Sequence, residues 1–193
     1  MTAQAQRVAA VLAARDPENL RPWLAHMAAA LASEPVLDRE TVDDLVARGR
    51  PRWGVRSEED ATAYVVFWTD LTQRYQDPRI AAAYSDVLHL LGGPKRACEA
   101  LGIFVEAVHR EPSLFIEYAG DFSELANRCG PAAALDFELA KIAYYARRVD
   151  DGAMDLEELQ DAVHEVLAHH GQDPGVRTRL FEIARRSFGG ATT

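Results

Sequence analysis

Proline and glycine divide this sequence into short segments, and that punctuation limits what the chain can fold into more than any other feature. Asp77-Pro78, Gly130-Pro131 and Asp173-Pro174 each combine a capping residue or glycine with a proline that can start a helix. Gly92-Gly93 stops the segment before it. Proline is tolerated in the first turn of a helix but not in its interior, and glycine often follows the last turn. The pattern therefore predicts many helices joined by short turns.

Apolar residues recur at helical spacing between these breaks. Trp23, Met27 and Leu31, for example, share one face of a predicted helix. No segment shows the strict alternation of a half-buried strand. The predicted helices cover residues about 3–15, 18–33, 39–48, 58–76, 78–91, 94–110, 114–128, 131–149, 156–169 and 174–188.

Two segments carry the signature of a helix N-terminal capping box. Ser57 with Asp60 and Asp155 with Glu158 place a hydrogen-bond acceptor where the helix begins and an acidic residue three positions later. Asp77 is expected to cap the helix that starts at Pro78. These residues predict where three helices begin.

The fold class that follows is all-α. The apolar residues are dominated by Ala and Leu, which lose least on entering a helix. Short connections force neighbouring helices to run antiparallel, so about ten helices form hairpins, stacked as a solenoid or packed as a compact bundle. We expect one all-α domain over residues 1–193, with a flexible tail at 189–193.

Residues 81–114 are the most repeat-like part of the chain. Their second helix carries Ala100, Phe104, Ala107 and Pro112, in which small residues permit close helix approach and proline ends the helix. This spacing resembles the second helix of a tetratricopeptide repeat. A partial copy recurs 33 residues later at Ala133, Phe137 and Ala140, and upstream copies are degenerate.

The resemblance implies a concave groove lined by the first helix of each repeat. In the best repeat Ser85 and His89 would face this groove, with Tyr84 and Tyr118 nearby. Family members that grip a peptide carboxylate use Lys and Asn at such positions, which are absent here. A peptide-binding groove is thus one interpretation, and ordinary surface residues are the other.

The charge and the two cysteines bear on partners and compartment. A net charge of -9 repels nucleic acid, and the densest basic stretch, around Trp53, is flanked by acidic residues. No apolar run is long enough to span a membrane, and no signal peptide is evident. Cys98 and Cys129 fit buried free thiols. These features predict a cytoplasmic protein that binds neither nucleic acid nor membranes.

Two segments resemble metal-binding motifs, but each lacks a feature that the motif requires. His164 and His169 are five residues apart, whereas a zinc helix needs histidines four apart. The segment from Asp151 to Glu158 resembles half of a calcium loop, but Arg147 occupies the first ligand position. We therefore expect no metal, no cofactor and no catalytic residue.

The functional prediction is a non-catalytic adaptor or chaperone-like scaffold that binds a protein or peptide. The alternative is a helical bundle, possibly an enzyme, that holds a small molecule between helices near Tyr64, Phe67 and Trp68, the most aromatic part of the chain. The partner, the oligomeric state and the pathway are left open by the sequence.

Overall fold

The computed structural model describes residues 3–15, 19–32, 34–49 and 55–188. Within these ranges the chain forms ten α-helices and no strand, which confirms the all-α class. The helices are α1 (Ala3–Ala13), α2 (Leu20–Ala32), α3 (Arg39–Gly49), α4 (Glu58–Tyr75), α5 (Pro78–Leu91), α6 (Ala97–Arg110), α7 (Phe115–Arg128), α8 (Pro131–Asp150), α9 (Leu156–His170) and α10 (Pro174–Phe188).

The predicted boundaries agree closely with these helices. The bounds of α5 coincide with the predicted 78–91, and the predicted helix 94–110 differs only in beginning as a 3₁₀ turn, Pro94–Arg96, before α6. The predicted tail 189–193 and the part of the basic stretch at 50–54 lie outside the described residues.

Two of the three predicted N-terminal caps form as expected. The Ser57 side chain accepts a hydrogen bond from the Asp60 backbone N–H at 3.1 Å, and Asp77 accepts one from the Arg79 N–H at 2.8 Å. Asp155 stands at the N-cap of α9 but makes no capping hydrogen bond through its side chain. The predicted capping box there is wrong, although the helix still begins at the expected residue.

The chain divides into two compact units, Met1–Phe104 and Val105–Thr193, called here the N-terminal and C-terminal units. Helix pairs that follow one another along the chain pack as the predicted hairpins within both units: α1 with α2, α4 with α5, and α7 with α8.

The helices of the N-terminal unit close into a ring. In addition to the hairpins, α1 packs against α3, α3 against α5, and α2 against α4, so the five helices surround one core. The interior is filled by large apolar side chains without exposed surface, among them Met27, Leu45, Trp68 and Ile80. The unit is therefore a small bundle with most of its described aromatic side chains inside.

The C-terminal unit is organised around α8, which packs against α7, α9 and α10. Its core joins Leu139, Ile142 and Ala146 of α8 to Leu159 and Val166 of α9, and to residues of α10. At 20 residues, α8 is the longest described helix, and it contributes more residues to this cluster than α9 or α10 does. The position of α10 therefore depends on its packing against α8 and α9.

The prediction that the two cysteines are buried free thiols is wrong. Cys98 and Cys129 are both disulfide-bonded, and the described residues include no free cysteine. Cys98 is exposed and Cys129 half-buried, so the apolar pattern around them did not indicate burial of the thiols themselves. The cytoplasmic location, which rested partly on free thiols, stays a prediction.

No helix in the described part of the chain is long and apolar enough to cross a lipid bilayer.

Candidate functional site

The residues predicted to line a peptide groove are mostly inside the protein. Ser85 is 0% exposed, Tyr84 is 5% exposed and Tyr118 is 1% exposed, while His89 is half-buried. The Ser85 hydroxyl donates a hydrogen bond to the Ala82 carbonyl within the helix at 2.6 Å. Ser85, Tyr84 and Tyr118 therefore do not line an open groove, contrary to the prediction.

The physical reason is that α5 is buried on nearly every side. All nine residues from Ile80 to Leu88 are buried, including three successive alanines, because α5 packs against both α3 and α4. The buried stretch includes the polar residues Ser85 and Asp86, so polarity alone did not distinguish the buried face of α5 from an exposed one. The resemblance to the repeat family placed Ser85 on a groove, whereas packing against α3 and α4 buries it.

Tyr64, Phe67 and Trp68 are core residues as well. Tyr64 and Trp68 are 0% exposed and Phe67 is 7% exposed, and the Phe67 and Trp68 rings meet edge to face. Burial raises the pKa of Tyr64 to about 12, against the opposing effect of the positive charge on Arg15. These rings fill the space that the alternative hypothesis reserved for a small molecule.

A charged cleft is the most distinctive surface feature of the C-terminal unit. It has a volume of about 260 Å³ and lies between the C-terminal part of α6 and one face of α10. Three arginines, two glutamates, one histidine and one isoleucine line it: Arg110, Arg179, Arg186, Glu106, Glu182, His109 and Ile183. We call it the Arg/Glu cleft.

Helical periodicity brings these residues to one place. On α10 the lining positions 179, 182, 183 and 186 follow the three- and four-residue spacing of a single helix face, as do 106, 109 and 110 on α6. Ile183 is buried and belongs to the core cluster, so it anchors α10 with this face towards the cleft. Arg110, Arg186 and both glutamates remain exposed at its rim.

Arg179 is held by an ion pair. Its guanidinium lies 2.8 Å from a carboxylate oxygen of Asp136, and both side chains are close to half-exposed. An exposed pair of this kind is worth less than about 1 kcal/mol, so its main effect here is to fix the orientation of Arg179. The cleft therefore contains the guanidinium of Arg179, which Asp136 orients, and those of Arg110 and Arg186 at its exposed rim.

His109 is the one titratable residue lining the cleft that is uncharged at neutral pH. Burial lowers its pKa from the ordinary value of 6.5, and the positive charges of Arg179 and Arg186 lower it further, while Glu106 and Asp136 act in the opposite direction. An imidazole with a lowered pKa is uncharged at neutral pH. It can accept or donate a hydrogen bond there without adding charge.

A second, apolar groove lies on the N-terminal unit between α1 and α2. It has a volume of about 600 Å³ and is lined by Ala10, Val11, Ala14, Asn19, Pro22, Trp23 and His26. The indole N–H of Trp23 donates to the Val11 carbonyl at 2.8 Å, which ties the two helices together at the floor of the groove. Most of its surface offers shape and apolar contact rather than directed hydrogen bonds.

In the part of the chain that the structure describes, no group of three or more His, Cys, Asp or Glu side chains is placed so that it could hold a metal ion. His164 and His169 are both exposed on α9, and the His169 ring contacts the Glu165 carbonyl of its own helix at 2.9 Å.

Sequence reasoning did not find the Arg/Glu cleft. Its two walls are separated by some seventy residues, and neither Glu106-x-x-His109-Arg110 nor the Arg179 to Arg186 stretch matches a recognised motif. The only local signal was the excess of arginine on the last helix.

Comparisons with known proteins found no match to this chain. No family model matches the chain, and neither a curated protein nor a solved structure matches it.

Proposed function

We propose that this protein is a non-catalytic helical scaffold that binds a protein or peptide partner, and that the Arg/Glu cleft receives a charged segment of that partner. The observation that carries the proposal is the convergence of three guanidiniums, from two helices, on one cleft. Arginine binds carboxylates through two parallel hydrogen bonds and is enriched in protein interfaces.

The size of the cleft supports a partner segment over a cofactor. Its volume of about 260 Å³ is smaller than the roughly 300–1,000 Å³ typical of small-molecule sites. It can hold a few side chains of a peptide, whose remaining residues would lie across the surface. The exposed positions of Arg110 and Arg186 suit contact with such a segment.

The tetratricopeptide-like spacing of Ala100, Phe104, Ala107 and Pro112 supports the same class of function. Repeats of that family are protein-interaction modules. We propose the relationship on this spacing alone. The groove residues first assigned from it, Ser85 and Tyr84, are not part of the proposal because both are buried.

A random-peptide display selection on the immobilised full chain tests the proposal. Selected peptides are then titrated against wild type, Arg186→Ala and the matched control Arg185→Ala. Arg185 directly precedes Arg186, carries the same charge, is also exposed and does not line the cleft. We expect Arg186→Ala to weaken binding by about threefold or more, as for loss of a partly exposed ion pair, and Arg185→Ala to leave it nearly unchanged.

Two results would overturn the proposal. The first is a selection that enriches no peptide over the immobilisation surface. The second is a set of peptides whose affinity is the same for both arginine variants, since binding would then take place elsewhere on the protein. Circular dichroism of each variant separates loss of the cleft from loss of the fold.

The apolar groove favours a second candidate function, binding of a small apolar molecule. Its volume of about 600 Å³ falls inside the range of small-molecule sites, and Trp23 supplies an aromatic wall. Native mass spectrometry of the purified protein would detect a copurified ligand. A bound mass that persists in Trp23→Leu, or no bound mass at all, counts against this candidate.

A further inference from the structure

The two exposed phenylalanines of the chain lie together on α10. The structure describes all seven phenylalanines, of which five are buried, whereas Phe181 is 70% exposed and Phe188 is 40% exposed. They are seven residues apart, which places them on one helix face about 10 Å from each other along the axis. Ala184 and Arg185, between them, are exposed as well. We call Phe181, Ala184, Arg185 and Phe188 the outer face of α10.

The outer face is separate from the two surfaces that α10 already uses. Val176 and Ile183 are buried in the core cluster of the C-terminal unit, and Leu180 packs against that cluster. The Arg/Glu cleft is lined by other positions of α10, and successive helix residues are turned by about 100°, so Arg185 and Arg186 lie on different faces. Neither core packing nor the cleft accounts for two exposed phenylalanines on one face. Clustered exposed apolar side chains are typical of an interaction surface, in which Phe and Arg are enriched.

The spacing of the outer face suits a second helix. Phe181, Ala184 and Phe188 are separated by three and then four residues, which is the alternation that forms the seam between two helices packed side by side. The small Ala184 between two large rings leaves room for a side chain of the facing helix. Arg185 lies directly beside the seam, at a position where charged residues of paired helices meet. The matching surface is therefore the apolar stripe of an amphipathic helix.

The charge of α10 indicates which residues should flank that stripe. The helix contains four arginines and one glutamate, a net charge of +3, although the net charge of the whole chain is -9. A second copy would bring two helices of like charge together. An anionic membrane is a broad surface, which the excess negative charge of the rest of the chain would repel. A single acidic helix can contact the outer face alone, so it is the occupant that the charge favours.

From the seam and its charge, we propose that the outer face of α10 binds an amphipathic helix of a partner protein, with apolar residues at the seam and Asp or Glu beside them. The rings of Phe181 and Phe188 would pack against the apolar stripe, and Arg185 would pair with a carboxylate of the partner helix. Because the contact spans only two helical turns, the complex belongs to the weak, reversible class. The proposal goes beyond the proposed function and does not depend on the Arg/Glu cleft.

Fluorescence anisotropy of three synthetic peptides, titrated with the full chain, tests the proposal. The acidic peptide is an amphipathic helix with Leu at the seam positions and Glu beside them, the basic peptide has Lys in place of Glu, and the rearranged peptide has the residues of the acidic one in an order without an apolar stripe. The acidic peptide should bind about fivefold tighter than the basic one and about tenfold tighter than the rearranged one.

Three variants locate the binding surface. Phe181→Ala should weaken binding of the acidic peptide about tenfold, whereas the matched control Ile116→Ala, which truncates a 66% exposed side chain on α7, should leave it nearly unchanged. Arg185→Glu should weaken the acidic peptide and strengthen the basic one, each by about threefold, because Arg185 lies beside the seam. Thermal unfolding of each variant checks that it is folded.

Any of four results would overturn the proposal. The first is an acidic peptide that binds no better than the rearranged one, and the second is equal binding to Phe181→Ala and Ile116→Ala. The third is a concentration-dependent dimer in sedimentation that Phe181→Ala abolishes, which would assign the outer face to a second copy. The fourth is binding of wild type, but not of Phe181→Ala, to vesicles of equal parts phosphatidylserine and phosphatidylcholine, which would assign it to a membrane. All four leave the Arg/Glu cleft untouched, because binding there is tested through Arg186.

Discussion

Substitution of Leu139 by alanine should destabilise the C-terminal unit strongly. Leu139 lies on α8 with no exposed surface, inside the cluster that joins α8 to α9 and α10. The change removes three buried carbon atoms, worth about 0.8 kcal/mol each in transfer free energy, and leaves a cavity that adds to the cost. We expect a loss of about 3 kcal/mol, or a fall in Tm of roughly 6–12 °C for a chain of this length.

Urea denaturation followed by far-ultraviolet circular dichroism measures the free energy of unfolding directly. The matched control is Leu156→Ala at the start of α9, where the same carbon atoms are removed from a side chain that is 53% exposed. The control should change the stability by no more than about 0.5 kcal/mol. Similar losses for both variants, or a loss below about 1 kcal/mol for Leu139→Ala, would refute the assignment of α8 as the centre of this unit.

Three further predictions concern caps and titrating groups. Ser57→Ala should cost about 1 kcal/mol in urea denaturation because it removes the acceptor for the N–H at position 60, whereas Ser123→Ala on the exposed face of α7 should cost almost nothing. Burial acts to raise the pKa of Asp77, but hydrogen bonds from Arg79 outweigh it and hold the pKa below 3.8. The stabilisation from Asp77 should therefore be complete above about pH 4 and be lost as the pH falls further, and Asp77→Asn should flatten this acid limb of the stability profile. Because the pKa of His109 is lowered in the folded protein, the unfolded chain binds a proton at this imidazole more readily than the folded chain does. The free energy of unfolding should therefore fall as the pH drops below 6.5. His109→Gln should reduce that fall, as measured by thermal melts at several pH values.

The helices were predictable because their ends are determined locally. Pro78 fixes the backbone at the first turn of α5, Asp77 caps it, and Gly93, with a φ of 73°, provides a conformation that other residues avoid directly after the helix. Such signals act over a few residues and need no knowledge of tertiary packing. The all-α class followed from them without ambiguity.

The site was not predictable because tertiary packing decides which helix faces meet. Ser85 and Tyr84 were assigned to a surface by analogy, yet the small residues around them allow α3 and α4 to cover α5. The Arg/Glu cleft needs α8 to bring α10 into place, and no spacing within α6 or α10 contains that information. The disulfide-bonded state of Cys98 and Cys129 is likewise a matter of proximity in space.

The central claim is that a partner segment docks in the Arg/Glu cleft, and an NMR titration of the full, isotopically labelled chain tests it most directly. The probe is the tightest-binding peptide from the display selection on the immobilised full chain. Docking in the cleft predicts that amide shifts change progressively at Arg110, Ile183 and Arg186, with the apolar groove unaffected. Shifts concentrated at Val11 and Trp23, with the cleft unchanged at saturation, would contradict it.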